Sequence, residues 1–434
     1  MEDGKIASVK AREILDSKGR PMIEIDVWTE QGVLGRAASP CGTSVGKHEA
    51  VVLRDGGRRF AGLGVQKAIG GVMEVLAPVL LGKRVFEQKA IDLVMIELDG
   101  TPHKSRLGGN AIYALSVAVT RAAAESLKIP LYRYLGGVAA HSLPVPLFNM
   151  INGGPYSHVD VEFQEFMLAP IGAKNYTEAL RMGVEVFYRV GEVIKKRYGQ
   201  ERLHLGHSAG YAAPVGNPAE MIETLLEAAD VAGYEGKFQV GLDCAASHFY
   251  DKKRDCYLFQ REEASRDHII AYLERLARSY PILMIEDPLH DDDFEGFAEI
   301  TKRLDLLVVG DDLFVTNPER LNQGISLGAA NAMIFKPNMV GTLTEAFDAA
   351  ALARRHGYSI IPSCRAGGSV DDPIPDVTVA LNAPFVKLGA PRSGERTTYQ
   401  NRLLRIEEEL GPSAEFSTPK GIQSQNRGPV THHT

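Results

Sequence analysis

Asp243, Glu286, Asp311 and Lys336 each close a short apolar run (QVGLD, ILMIE, LLVVGD and AMIFK), and Cys364 and Arg365 close a fifth, SIIPSCR. Three carboxylates with no histidine or thiolate among them make a hard-oxygen set, which suits magnesium or manganese better than zinc. A lysine beside a divalent ion loses its proton more readily and is a candidate general base. Plainer roles stay open to the same residues. An acidic strand end also caps a helix, and a lysine closing an apolar run also serves as the buried ion-pair partner of Asp311.

The elements that must position them are legible in the spacing. From Glu286 to Asp311, Lys336 and Cys364 the steps are 25, 25 and 28 residues, the length of one strand, one loop and one helix. Helically spaced segments such as HIIAYLERLARSY and TEAFDAAALARRHG lie between the runs, so strand and helix alternate and a parallel sheet follows. Eight such units close into a barrel, and chemistry in such barrels sits where strands end and loops begin. The acids and the lysine are therefore expected to face one shared space.

The chain has 434 residues, too long for one compact core, so two domains are expected, one of them a barrel of the usual ~250 residues. Acidic residues outnumber basic ones, 55 to 48, giving a net charge of −7 with basic residues scattered, which argues against nucleic-acid binding. No window approaches the ~20 apolar residues of a membrane span, and MEDGK lacks a signal-peptide core, so a cytoplasmic location is expected. Cys41, Cys244, Cys256 and Cys364 lack any CxxC pairing, which indicates reduced thiols, with neither a disulfide framework nor a zinc site.

Residues 1–140 read as an α+β domain: MIEIDVWTE alternates like a half-exposed strand, a glycine-rich loop follows, and NAIYALSVAVTRAAAESL is the clearest helix. Residues 141–411 carry the barrel pattern. From 412 to 434 the apolar periodicity stops, and a disordered tail is expected.

AREILDSKGRPMIEIDV, FNMINGG, QEFMLAP, GLDCAAS, IEDP, VVGDDLFVTNP and LLRIEEELG resemble enolase segments in the family's order, from about Ile6 to Gly411. The resemblance implies an α/β fold: an amino-terminal α+β capping domain, then a modified TIM barrel of ββαα(βα)6 form, usually as a homodimer. It implies that Asp243, Glu286 and Asp311 hold a first magnesium and that Ser44, in SPCGTSVGKHEA, joins a second. Lys336 matches the base that removes the proton beside the substrate carboxylate, in a family whose sites pair such a base with magnesium. Lys387 matches the lysine holding that carboxylate, Gln164 and Glu165 the polar pair, and Arg365 the arginine gripping the substrate phosphate.

The sequence also departs from the family. Where enolase has a glutamate in a GDEGG turn to help expel the hydroxyl, this chain reads GHSAG with Ser208, beside His207. A serine hydroxyl is too weak an acid, so general-acid catalysis worth ~100 to 10,000-fold is expected to be lost. In the SHAG loop the chain reads PYSH, placing Tyr156 in the histidine's position and His158 two places later. In the SHRS segment it reads SCRA, so Cys364 replaces a histidine and Ala366 a serine, with Arg365 kept; His248 replaces an acid in DCAASHFY. These changes fall on the acid, the lid and the phosphate end. They point to retained enolate chemistry on a small phosphorylated carboxylate, with phosphonoformyl transfer as in the carboxyphosphonoenolpyruvate synthases of phosphinothricin-type pathways, which are similar to enolase. The alternatives are a glycolytic enolase and an inert enolase-like binding protein.

Overall fold

In the computed structural model, which describes residues 4–43, 46–154, 161–206 and 209–417, the chain begins with an antiparallel sheet of three strands, Ile6–Leu15, Pro21–Thr29 and Leu34–Ala38. The middle strand is more buried than its alternation predicts. Its core side meets the helix Gly109–Leu127, whose Ala111, Ala114, Ala118 and Ala122 are fully buried. Gly35 permits that approach, since a Cβ there would lie 2.0 Å from the Ala118 carbonyl oxygen. On the other side Glu24 and Asp26 are covered by Arg12 and Arg36, so the polar face is an ion-pair cluster instead of a wet surface.

Val145–Asn152 and Glu165–Ala169 pair antiparallel, and the helices Tyr176–Tyr198 and Pro218–Val231 follow. Six strand-helix units come next, with strands Gln239–Asp243, Ile282–Glu286, Leu307–Gly310, Ala332–Phe335, Ser359–Pro362 and Phe385–Lys387. This is ββαα(βα)6, as the resemblance implied. The sheet curls until Ser363 bridges Lys387 and brings its two ends together. Side-chain caps start the helices where the sequence places them: Ser265, Asp293, Asn317 and Thr342 each accept from a first-turn amide. Inside, Leu147, Met167, Met284, Val309, Ala332 and Ile361 fill the barrel.

Register aligns the chemistry. Glu165 pairs with Asp243, and Asp243 pairs with Glu286, so three carboxylates from adjacent strands stand at one level of the barrel mouth.

Order extends past 411. Glu415–Phe416 pairs with Ser142–Leu143, tied by Glu415 N to His141 O at 3.0 Å and Ser417 N to Leu143 O at 2.8 Å. Residues 412–417, expected to lie in a tail, are thus described, and Phe416 packs against the barrel; residues 418–434 lie outside the described residues. Among the described residues no helix is long and apolar enough to cross a membrane.

Candidate active site

Lys387, at the end of its strand and 7% exposed, is enclosed by carboxylates. Its Nζ lies 2.8 Å from Asp243, 2.8 Å from the nearer Glu286 oxygen and 3.2 Å from Glu165. Asn149 donates to the other Glu165 oxygen at 2.9 Å, and Gln164 donates to Asp243 at 3.3 Å. Burial drives the Glu286 carboxyl well above its ordinary range, the charge on Asp243 adds to this, and Lys387 opposes it.

Lys336 follows its strand directly and forms a close ion pair with Asp311, so the plainer reading of the lysine holds in this structure. Burial acts to lower the Lys336 pKa, but the surrounding carboxylates, Asp311 first and Glu286 after it, leave it raised and favour the ammonium form. Asp287 performs a different task. Its carboxylate accepts the Asp311 and Asp312 amides at 2.9 and 2.8 Å, which fixes the loop that carries Asp311. Burial and the Asp311 charge push the Asp312 carboxyl up to about 7.

The far wall is built by both parts of the chain. Arg365, 5% exposed, donates to Glu49 at 2.8 and 3.2 Å, and Glu49 also accepts the Gly46 amide at 2.7 Å. The loop that carries Glu49 leaves the amino-terminal sheet and crosses the barrel mouth. Cys41 and Gly367 exchange backbone bonds at 2.9 Å, Ala50 N meets Met339 O at 2.7 Å, and Lys47 and His48 reach Asp292 at 3.1 and 2.9 Å. Cys364 is buried; burial raises its thiol pKa against the opposing charge of Arg396, so it does not present a ready thiolate.

The structure thus gathers Gln164, Glu165, Asp243, Asp311, Lys336, Cys364, Arg365 and Lys387 around one cavity, with Glu286 beneath it. Ser44, Tyr156, His158, His207 and Ser208 lie outside the described residues. His248 is also among the residues that line the cavity. Glu49, Asp287 and Arg396 also line the cavity and were missed. The HEA and IEDP strings contained two of them, but their partners are hundreds of residues or a whole strand away.

The donor set fits a hard divalent cation. Asp311 Oδ1 and Gln164 Oε1 are buried oxygens without a hydrogen-bond partner, and every nearby acid presents oxygen. A second close carboxylate group, Asp287, Asp311 and Asp312, includes Asp287 oxygens already taken by backbone amides.

Residues 6–135 match the family model described as the enolase N-terminal domain, and residues 140–425 match the enolase C-terminal TIM barrel domain. The enolase of Methanopyrus kandleri is 49% identical over 416 residues, covering 95% of this chain and 97% of the relative. Those of Methanocaldococcus jannaschii and Pyrococcus furiosus are each 48% identical, covering 94% of this chain and 96% and 95% of theirs. The chain belongs to the enolase family.

This overturns the expectation of phosphonoformyl transfer. Relatives at 46–49% identity over nearly the full length are named enolase, none of them a phosphonate synthase. That expectation rested on a few altered positions, several of which the structure does not describe. Asp243, Asp311, Lys336 and Lys387 line one cavity, and Glu286 pairs with Lys387 beside it. Transferase chemistry and antibiotic biosynthesis have no support. An enolase-family enzyme of the lyase type is what the comparisons support.

Proposed function

We propose that this protein is a magnesium-dependent 2-phosphoglycerate dehydratase. Supporting this most directly is the juxtaposition of Lys336, Lys387 and the Asp243, Glu286 and Asp311 acids around one cavity that also holds Arg365. Lys387 and Gln164 orient the substrate carboxylate, and Arg365 with the loop around Ser44 takes the phosphate. Asp243, Glu286 and Asp311 would hold the divalent cation, which would supply positive charge for the developing enolate and compete with Lys336 for Asp311. Neutral Lys336 then takes the C2 proton, and the C2–H bonding pair moves into the carboxylate, from which it returns to form the C2–C3 double bond in the next step. The C3–O bond breaks next, and the hydroxyl leaves as water with a proton delivered from the site, leaving phosphoenolpyruvate. Glu165, bonded to Asn149, is the described carboxyl best placed to serve that half. With Ser208 in the place of the family's glutamate, elimination is expected to lag behind proton removal. We also infer two magnesium ions, a homodimer, and work in the cytoplasm, as the family resemblance implies.

The test uses purified protein, magnesium and 2-phosphoglycerate in heavy water, following deuterium at C2 and phosphoenolpyruvate together. Exchange with product formation, even slow, supports the reading. Saturating 2-phosphoglycerate binding by calorimetry with neither signal would overturn it.

A further inference from the structure

Arg396 is an odd cation for its position. It is 3% exposed and stands in the first turn of the helix Gly394–Leu410, at the positive end of the dipole, where cations are disfavoured. No side chain caps that helix, and its N-cap Ser393 has φ 75°. Among the described residues, the guanidinium meets the Cys364 thiol, the Ala366 carbonyl at a long 3.5 Å, and Glu395 through an ion pair at 3.4 Å. Its Nε makes no hydrogen bond. A guanidinium has five N–H donors, and a thiol is a weak acceptor. A buried cation so poorly supplied costs stability unless it serves a ligand.

Its surroundings are shaped for it. Gly389, φ +78°, lies under the guanidinium, and a Cβ there would come within 3.2 Å of Cδ, Cζ and Nε. Arg396, Cys364, Arg365, Ala366 and Gly389 line the same cavity. The other cations there are matched: Arg365 by Glu49, Lys336 by Asp311, Lys387 by three acids. The small side chains of Cys364 and Ala366 flank Arg365 in the chain and line the same cavity as both arginines.

We propose that Arg396 is a second phosphate-recognising arginine, specific to the phosphomonoester end of the substrate, with Cys364 holding its fork toward the cavity. This rests on the dehydratase reading for the substrate's carbon skeleton, but not for its phosphate.

Binding of inorganic phosphate, 2-phosphoglycerate and unphosphorylated glycerate is measured by calorimetry in magnesium, for wild type, Arg396→Gln and Arg396→Lys. The expected result is a tenfold or greater loss for both phosphate ligands in Arg396→Gln, partial recovery in Arg396→Lys, and unchanged glycerate binding. Equal losses for all three ligands, or none, would overturn the proposal. A variant that melts early is replaced by Cys364→Val, which removes the thiol without touching the guanidinium; it must show the phosphate-selective loss in smaller size, and its absence counts against the proposal. If wild type binds phosphate but not 2-phosphoglycerate, the dehydratase reading fails, while the phosphate titrations still decide the role of Arg396.

Discussion

Replacing Lys387 with methionine keeps most of the side-chain volume and removes a charge that touches three acids. At 2.8 Å and an effective dielectric of about 20, each of the two nearer attractions is about 6 kcal/mol before dehydration of the ions is counted. Breaking a buried ion pair from one side costs about 3–5 kcal/mol net. Protonation of Glu286, whose pKa burial already raises, recovers part of this, so a loss of about 3 kcal/mol is expected in metal-free protein. The same acids are then open to a divalent ion without competition from an ammonium. Magnesium should bind Lys387→Met at least tenfold more tightly, roughly 1.4 kcal/mol, and its addition should restore most of the lost melting temperature. Scanning calorimetry with EDTA and with magnesium, alongside metal titration at constant ionic strength, measures both. Unchanged metal affinity together with unchanged metal-free stability would refute the competition between Lys387 and the cation. Turnover should fall regardless, since the carboxylate anchor is gone.

Lys336→Gln should abolish deuterium exchange at C2, by at least a thousandfold in rate, while leaving magnesium binding intact; residual exchange at the wild-type rate would move the base elsewhere. Glu49→Gln should lower stability by about 3 kcal/mol, because Arg365 loses its buried counter-charge, and should expose the 46–50 loop to limited proteolysis. Asp372, with one buried oxygen unpartnered, has its carboxyl pushed up to about 6 chiefly by burial. Its ionisation therefore costs stability progressively as pH rises from about 4 to 6, reaching about 3 kcal/mol at neutral pH. Asp372→Asn should be the more stable protein at pH 7 by up to that amount and lose the advantage near pH 4, as followed by melting across pH.

The barrel was legible because its signal is local. Apolar runs, a regular step and helically spaced segments are all read within one unit. Asp243, Glu286, Asp311 and Lys336 followed, since strand ends in a barrel share a mouth, whereas Glu165 and Lys387 came only from the family resemblance. The Arg365 pairing with Glu49 was not legible: it joins positions 316 residues apart, and nothing near either residue signals the other. Arg396 sat in what reads as an ordinary charged helix start. The strand MIEIDVWTE was read correctly as a strand but wrongly as half exposed, because Arg12 and Arg36 arrive from its neighbours to cover Glu24 and Asp26. The phosphonate reading failed for a different reason. It gave a handful of altered residues more weight than agreement along the whole chain.

The loop across the barrel mouth carries a consequence for how this chain can be divided. Glu49 is encoded before the barrel begins, yet it supplies the counter-charge for an arginine at the far end of the sheet. A barrel produced alone, from residue 141 onward, would keep Asp243, Glu286, Asp311, Lys336 and Lys387 and still lose the carboxylate that pairs with Arg365. Mixing the two segments between relatives should therefore fail unless position 49 and its anchors at Asp292 and Met339 travel together. The first 140 residues are part of the machinery, and selection acting on either segment is felt by the other.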